Sequence, residues 1–166
     1  MGVLKWVLIA VAALVVLAAV GVLAGQLGWL KGKPPAELGV RNGKLKAPAT
    51  TPNSVTSQAM LYPDHPRRDS AQIAPLALKG DGPATLARIK LVVEAMAGAQ
   101  VVTNEPGYLY AQFTTPLMKF VDDTEFWFDP AAGVVQVRSA SRLGKSDHEL
   151  NRARVEAIRK RLAAAP

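Results

Sequence analysis

Phe120-Val121-Asp122-Asp123-Thr124-Glu125-Phe126-Trp127-Phe128, followed across Asp129-Pro130-Ala131-Ala132-Gly133 by Val134-Val135-Gln136-Val137-Arg138-Ser139-Ala140-Ser141-Arg142, is the stretch whose reading decides the fold. Strict alternation sets Phe120, Asp122, Thr124, Phe126 and Phe128 on one face and Val121, Asp123, Glu125 and Trp127 on the other, which predicts a strand. The second run alternates in the same way, so the two form an antiparallel hairpin. Pairing Phe126 with Val137 is the simplest register: Glu125 then faces Arg138 on one side, while Thr124 meets Ser139 and Asp122 meets Ser141 on the other. Asp122 and Thr124 share a face with three phenylalanines, so burial obliges them to find hydrogen-bond partners.

Upstream, Asp81-Gly82-Pro83 announces a helix with proline in its first turn. Leu86, Ile89, Val93 and Met96 give it one apolar face, and Gly98 stops it. Val101-Val102 and Tyr108 to Phe113 are β-rich runs joined by Glu105-Pro106-Gly107, where proline then glycine suits a type II turn. A short strand is expected at Ala71 to Leu76, and the two prolines of Tyr62-Pro63-Asp64-His65-Pro66-Arg67-Arg68 forbid a regular helix there. Downstream, Ser146 and Glu149 have the spacing of a capping box, and Leu150, Val155, Ile158 and Leu162 stripe a closing helix. Asn151 falls on that stripe with Arg154 beside it, so both can close over the buried polar patch. The expected fold is α+β: an N-terminal transmembrane helix, then a two-layer domain with an antiparallel sheet of about four strands and two helices on one face, in the order helix, four strands, helix.

From Trp6 to Leu30 the only polar side chain besides the indoles is Gln26, about 25 residues where a spanning helix needs roughly 20. Trp6 and Trp29 stand about 34 Å apart at ~1.5 Å per residue, a spacing that fits the two aromatic belts of a bilayer. A cleaved signal is the alternative, since Lys5 makes an n-region and Val22-Leu23-Ala24-Gly25 offers small residues to a peptidase. Between Lys31 and Pro52 the prolines and glycines read as a tether. The expected organisation is therefore an anchor over 1–30, a Pro/Gly/Lys-rich tether over 31–52 and an α+β domain over 53–166.

A chain of 166 residues accommodates one such domain, and its hydrophobic content of 49% is inflated by the anchor. The net charge of +7 is concentrated after the anchor: outside Lys5 and the 31–46 segment, 14 basic residues face 12 acidic ones. That distribution suits anionic headgroups rather than nucleic acid. The absence of cysteine excludes disulfides, thiolate metal sites and cysteine nucleophiles. Basic residues denser after the helix favour a cytoplasmic domain, yet one lysine before a long apolar run also begins an exported signal-anchor, so composition leaves the side open.

Several separate motifs, in one order, resemble the DUF1499 family of bacterial and plastid proteins. They are Asn53-Ser54-Val55-Thr56-Ser57, His65-Pro66-Arg67-Arg68, Phe120 to Phe126, Val137 to Gly144, and Asp147 through Asn151, Arg154, Val155, Glu156, Ile158 and Arg159. Thr56 and Lys145 depart from the serine and aromatic expected there. The resemblance implies this fold and an envelope or organelle-lumen setting, hence a single-pass protein of a bacterial inner membrane with its domain on the periplasmic side. It transfers no chemistry.

The candidate polar pocket comprises Asp122, Asp123, Glu125, Arg138, Ser139, Ser141, Arg142, Asn151 and Arg154. Carboxylates near arginine can do acid/base work or hold a hard cation. The same residues at the same spacing also make a satisfied polar network with cross-strand ion pairs. Asp123 and Glu125 alternate away from Asp122, so all three cannot chelate one ion. His65 reads as a loop residue and His148 as a solvated one, and no serine sits in a Gly-x-Ser-x-Gly elbow. The leading expectation is a binding or scaffolding module of the cell envelope, without a cofactor, that meets the bilayer through residues 6–30 and takes a small polar or anionic ligand near the arginines. The alternative is a membrane-anchored enzyme, a hydrolase using Asp122 with neighbouring arginines.

Overall fold

The computed structural model of the chain describes residues 2–164; Met1, Ala165 and Pro166, and with them the outer ends of the expected anchor and domain, lie outside the described residues. Helix α1 (Gly2–Gln26) is the apolar segment, long and apolar enough to cross a membrane and almost wholly exposed along its length. Strand β1 (Ser54–Thr56), a 3-10 turn at Ala59–Leu61, helix α2 (Arg68–Ala71) and strand β2 (Leu76–Ala77) follow. Helix α3 (Gly82–Glu94), strands β3 (Ala99–Glu105), β4 (Tyr108–Thr114), β5 (Val121–Asp129) and β6 (Val134–Ser141), and helix α4 (Leu150–Ala164) complete the domain.

Helix, four strands and helix therefore occur in the expected order, within an antiparallel sheet ordered β1-β6-β5-β4-β3 to which β2 also pairs, on β6. The sheet has two more strands than the four expected. Ser54-Val55-Thr56 is too short and polar to announce a strand, and its extended form comes from pairing with Ala140, Ser139 and Arg138 of β6. The short strand expected at Ala71–Leu76 forms slightly later, at Leu76 and Ala77 opposite Val135 and Val134. The β5–β6 register is Phe126 to Val137, Glu125 to Arg138, Thr124 to Ser139 and Asp122 to Ser141, as the alternation requires.

Helices α3 and α4 both cover one face. Leu86, Ile89 and Val93 of α3 and Val155, Ile158 and Leu162 of α4 pack on Leu109, Ala111, Phe113, Phe126, Val135 and Val137. Burial of each large side chain contributes about 1.5–3 kcal/mol. The α3 start is capped as its sequence suggests, Asp81 Oδ1 accepting the Ala84 N–H at 2.7 Å. The α4 start differs: His148 and Glu149 take positive φ, so no Ser146–Glu149 box forms. Asp147 caps instead, its Oδ2 accepting the Asn151 N–H at 2.9 Å.

The opposite face of the sheet is covered differently. Residues 37–49 rise across it and return through Asn42-Gly43, both at positive φ, which closes a tight hairpin between Arg41 and Lys44. Leu45, in this segment, is buried to 1% exposure.

Candidate functional site

The sheet divides the nine candidate residues between two environments. Asp122, Ser139, Ser141, Asn151 and Arg154 lie on the helix side; Asp123, Glu125, Arg138 and Arg142 lie on the other. Arg142 therefore does not join Asp122 and Arg154.

On the helix side α4 closes over β5 and β6. Arg154 donates to Asp122 and Asn151, and to Ser139 Oγ at 3.0 Å, while its guanidinium lies 4.5 Å from the centre of the Phe113 ring. Ser139 Oγ bonds Thr124 Oγ1 at 2.8 Å and donates to Asn151 Oδ1 at 2.6 Å. The Asn151 amide nitrogen lies 3.1 Å from Asn53 O, 3.0 Å from Ser141 Oγ and 2.7 Å from Asp147 Oδ2. No side-chain polar atom of this group is left buried without a partner. A satisfied network of this kind rigidifies a core and fixes strand register.

On the other face Asp123 is gripped by Arg142, whose Nε and Nη2 both donate at 2.8 Å, and by the Tyr110 hydroxyl. Such a bidentate pair is strong and directional. Glu125 Oε1 accepts the Gly39 N–H at 2.7 Å and the Tyr108 hydroxyl at 2.9 Å. Its Oε2 faces Arg138 Nη1 at 3.6 Å, close enough for attraction but too long for a hydrogen bond, and neither atom has another partner. Arg138 Nε donates to Ala47 O at 3.3 Å. Gln58 reads the turn and the return arm of the covering hairpin, accepting the Leu45 N–H at 2.8 Å and donating to Gly43 O at 3.0 Å, and Tyr62 donates to Leu45 O. The segment expected to be a tether is thus a strap held by its own backbone groups.

Between the strap and the β3–β4 turn lies an open groove of about 610 Å³, lined by Leu38, Gly39, Val40, Thr103, Glu105, Pro106, Gly107, Tyr108, Tyr110 and Trp127. Its size falls within the range typical of small-molecule sites. None of the nine candidates lines it. Its aromatic wall escaped the sequence reading, although Tyr108 and Tyr110 alternate with Leu109 and Ala111, and Trp127 shares the face of Asp123 and Glu125. Among the described residues no three histidine, aspartate or glutamate side chains come together in a way that suits a metal ion.

Burial pushes up the phenol of Tyr108, reinforced by the Glu125 carboxylate, and likewise that of Tyr110, reinforced by its hydrogen bond to Asp123. Burial also raises Tyr62, against the lowering field of Arg138. Burial lowers Arg138, which Glu125 opposes, whereas the bond to Asp123 raises Arg142. The chain's three tyrosines are these three. A folded-state pKa above the unfolded value of 10.0 stabilises the fold below pH 10, and that contribution is lost as pH rises beyond it. Ultraviolet difference absorbance of the full chain is therefore expected to show all three phenols ionising above their ordinary pH, Tyr108 last. Three ordinary titrations would refute the packing described.

A family model described as "Protein of unknown function (DUF1499)" matches residues 44–162. No curated protein and no solved structure matches the chain.

Proposed function

The chain belongs to the DUF1499 family, and from that premise we propose that it is a membrane-anchored binding module of the cell envelope whose ligand site is the tyrosine and tryptophan groove beside the strap. The observation that carries this reading is the lining. Tyr108 and Tyr110 are held in place from beneath by Glu125 and Asp123, Trp127 supplies a flat apolar wall, and Thr103 and Glu105 of β3 add polar side chains to the lining. Pre-fixed aromatic faces with a few convergent polar atoms suit a small, ring-shaped polar molecule.

Charge recognition contributes less. Arg138, Arg142 and Arg154 are each already matched by a carboxylate, so the ligand is read by stacking and hydrogen bonding rather than by guanidinium charge. A hydrolase built on Asp122 gains no support: that carboxylate is 3% exposed, sealed under α4 and occupied by Arg154. A general acid or base must reach the proton it moves. The anchor is α1, and the periplasmic side of a bacterial inner membrane is part of the proposal.

A thermal-shift screen of small polar ring compounds against the full chain in detergent tests it. A ligand at a hundred times its Kd adds about 2.7 kcal/mol of stability. Hits are expected on the natural protein and not on Trp127→Ala. Hits that shift both proteins equally, or no hits at all, would reject the groove as the site.

A further inference from the structure

At the other end of the sheet from the groove, the β4–β5 turn carries Thr115-Pro116-Leu117-Met118-Lys119 and is closed by the Thr115 N–H donating to Phe120 O at 2.9 Å. Its tip is pressed against the last two turns of α1. Gln26 Nε2 donates to Leu117 O at 3.0 Å and Pro116 O at 3.3 Å. Gly25 packs on the Met118 backbone so closely that a Cβ there would stand 2.5 Å from Met118 O. A Cβ on Gly21, one turn earlier, would touch the Met118 side chain at 3.7 Å. Just beyond α1, Gly32 at positive φ sits against Arg142 and Leu143.

These contacts fix a depth. α1 ends at Gln26, so Gly25 and Gly21 lie one and five residues from its end, or about 1.5 and 7.5 Å along the axis at ~1.5 Å per residue. Trp29, whose N–H bonds back to Ala24 O at 3.0 Å, folds over the same end, so if α1 crosses a bilayer the tip lies beside its last two turns, where the span meets the interface. Its composition matches such a place: Pro116, Leu117 and Met118 carry no charge, and Leu117 is 59% exposed with only solvent or lipid to meet. Phe120 and Leu143 are also exposed at this end. Lys119 follows the tip, Lys31 and Lys33 follow α1, and Lys145 follows Leu143, which gives cations at the level where anionic headgroups lie.

We infer that the Pro116-Leu117-Met118 turn is a second membrane contact, inserted beside α1 at the acyl boundary with the surrounding lysines on anionic lipid headgroups. The inference rests on α1 being a membrane anchor. Two contacts fix the domain's tilt where one helix would leave it free. The seven residues of β4, at about 3.3 Å each, then separate the groove from the inserted turn by roughly 20 Å.

Because the chain has no cysteine, single cysteines carrying a fluorophore report depth cleanly. The full chain is reconstituted in phosphatidylcholine vesicles containing phosphatidylglycerol and lipids quenching at shallow or deep acyl positions. Leu14→Cys lies in α1, Leu117→Cys at the tip, and Ala131→Cys in the exposed β5–β6 turn at the far end of the sheet. Loss of emission is expected at position 14 with deep quenchers and at position 117 with shallow ones, and none at position 131. Emission retained at 117 while 14 is quenched overturns the inserted turn and leaves the anchor standing. Emission retained at both overturns the anchor and the inserted turn together, and quenching at 131 equal to that at 117 overturns the tilt.

Discussion

Glu125→Ala is expected to destabilise the domain by about 4–5 kcal/mol, near the upper end for a broken buried ion pair. Glu125 is fully buried and Arg138 is 5% exposed, so removing the carboxylate leaves a guanidinium that water barely reaches. The Gly39 N–H and the Tyr108 hydroxyl lose their acceptor in the same step, and these half-buried donors add to the cost. Equilibrium denaturation of the full chain in detergent measures the loss. Replacing both partners by apolar groups of similar size has a different expected outcome, because the desolvation of two charges disappears with their attraction. Glu125→Leu combined with Arg138→Met should recover most of the stability while removing the carboxylate that holds the strap. A double variant as unstable as the single one would show that the loss lies elsewhere than in the unpaired charge.

Asp122→Ala is expected to cost about 3 kcal/mol, toward the lower end of the same range. Arg154 has a side-chain exposure of 11% and keeps Ser139, Asn151 and the Phe113 ring as neighbours, so some water and some polar contact remain to it. Asp122→Asn preserves the shape and one acceptor but loses the charge, and its cost should fall between the natural protein and the alanine variant. An asparagine variant of undiminished stability would mean that the carboxylate is not needed by the network and would return it to consideration as a working group.

The contrast between the two carboxylates explains how far the sequence could be read. Alternation alone separates Asp122 from Asp123 and Glu125, because a strand has only two faces. The β5–β6 register follows from where the phenylalanines and valines must meet. Ser54-Val55-Thr56 could not be found this way, since its strand form comes from the β6 edge, and Asn53 just before it gives its carbonyl to the distant Asn151. The α4 cap shifted to Asp147 because only the folded chain brings that carboxylate to both the Asn151 amide and its side chain. The strap was hidden by its prolines and glycines, which read as flexible. Two local signals pointed the other way: Asn42-Gly43 is the strongest short hairpin signal, and Leu45 stands as a single apolar residue between two lysines. The groove depends on that strap, so a sequence whose prolines and glycines over residues 31–52 resemble a tether conceals it.

Amide hydrogen exchange at Gly39 tests most directly whether the strap is a fixed wall of the groove. In the full chain this N–H donates to a buried carboxylate, and its exchange should be slowed far below that of an open peptide, whereas in the Glu125→Leu/Arg138→Met protein it should exchange freely while the β5 and β6 amides stay protected. Free exchange at Gly39 in the natural protein would contradict the account.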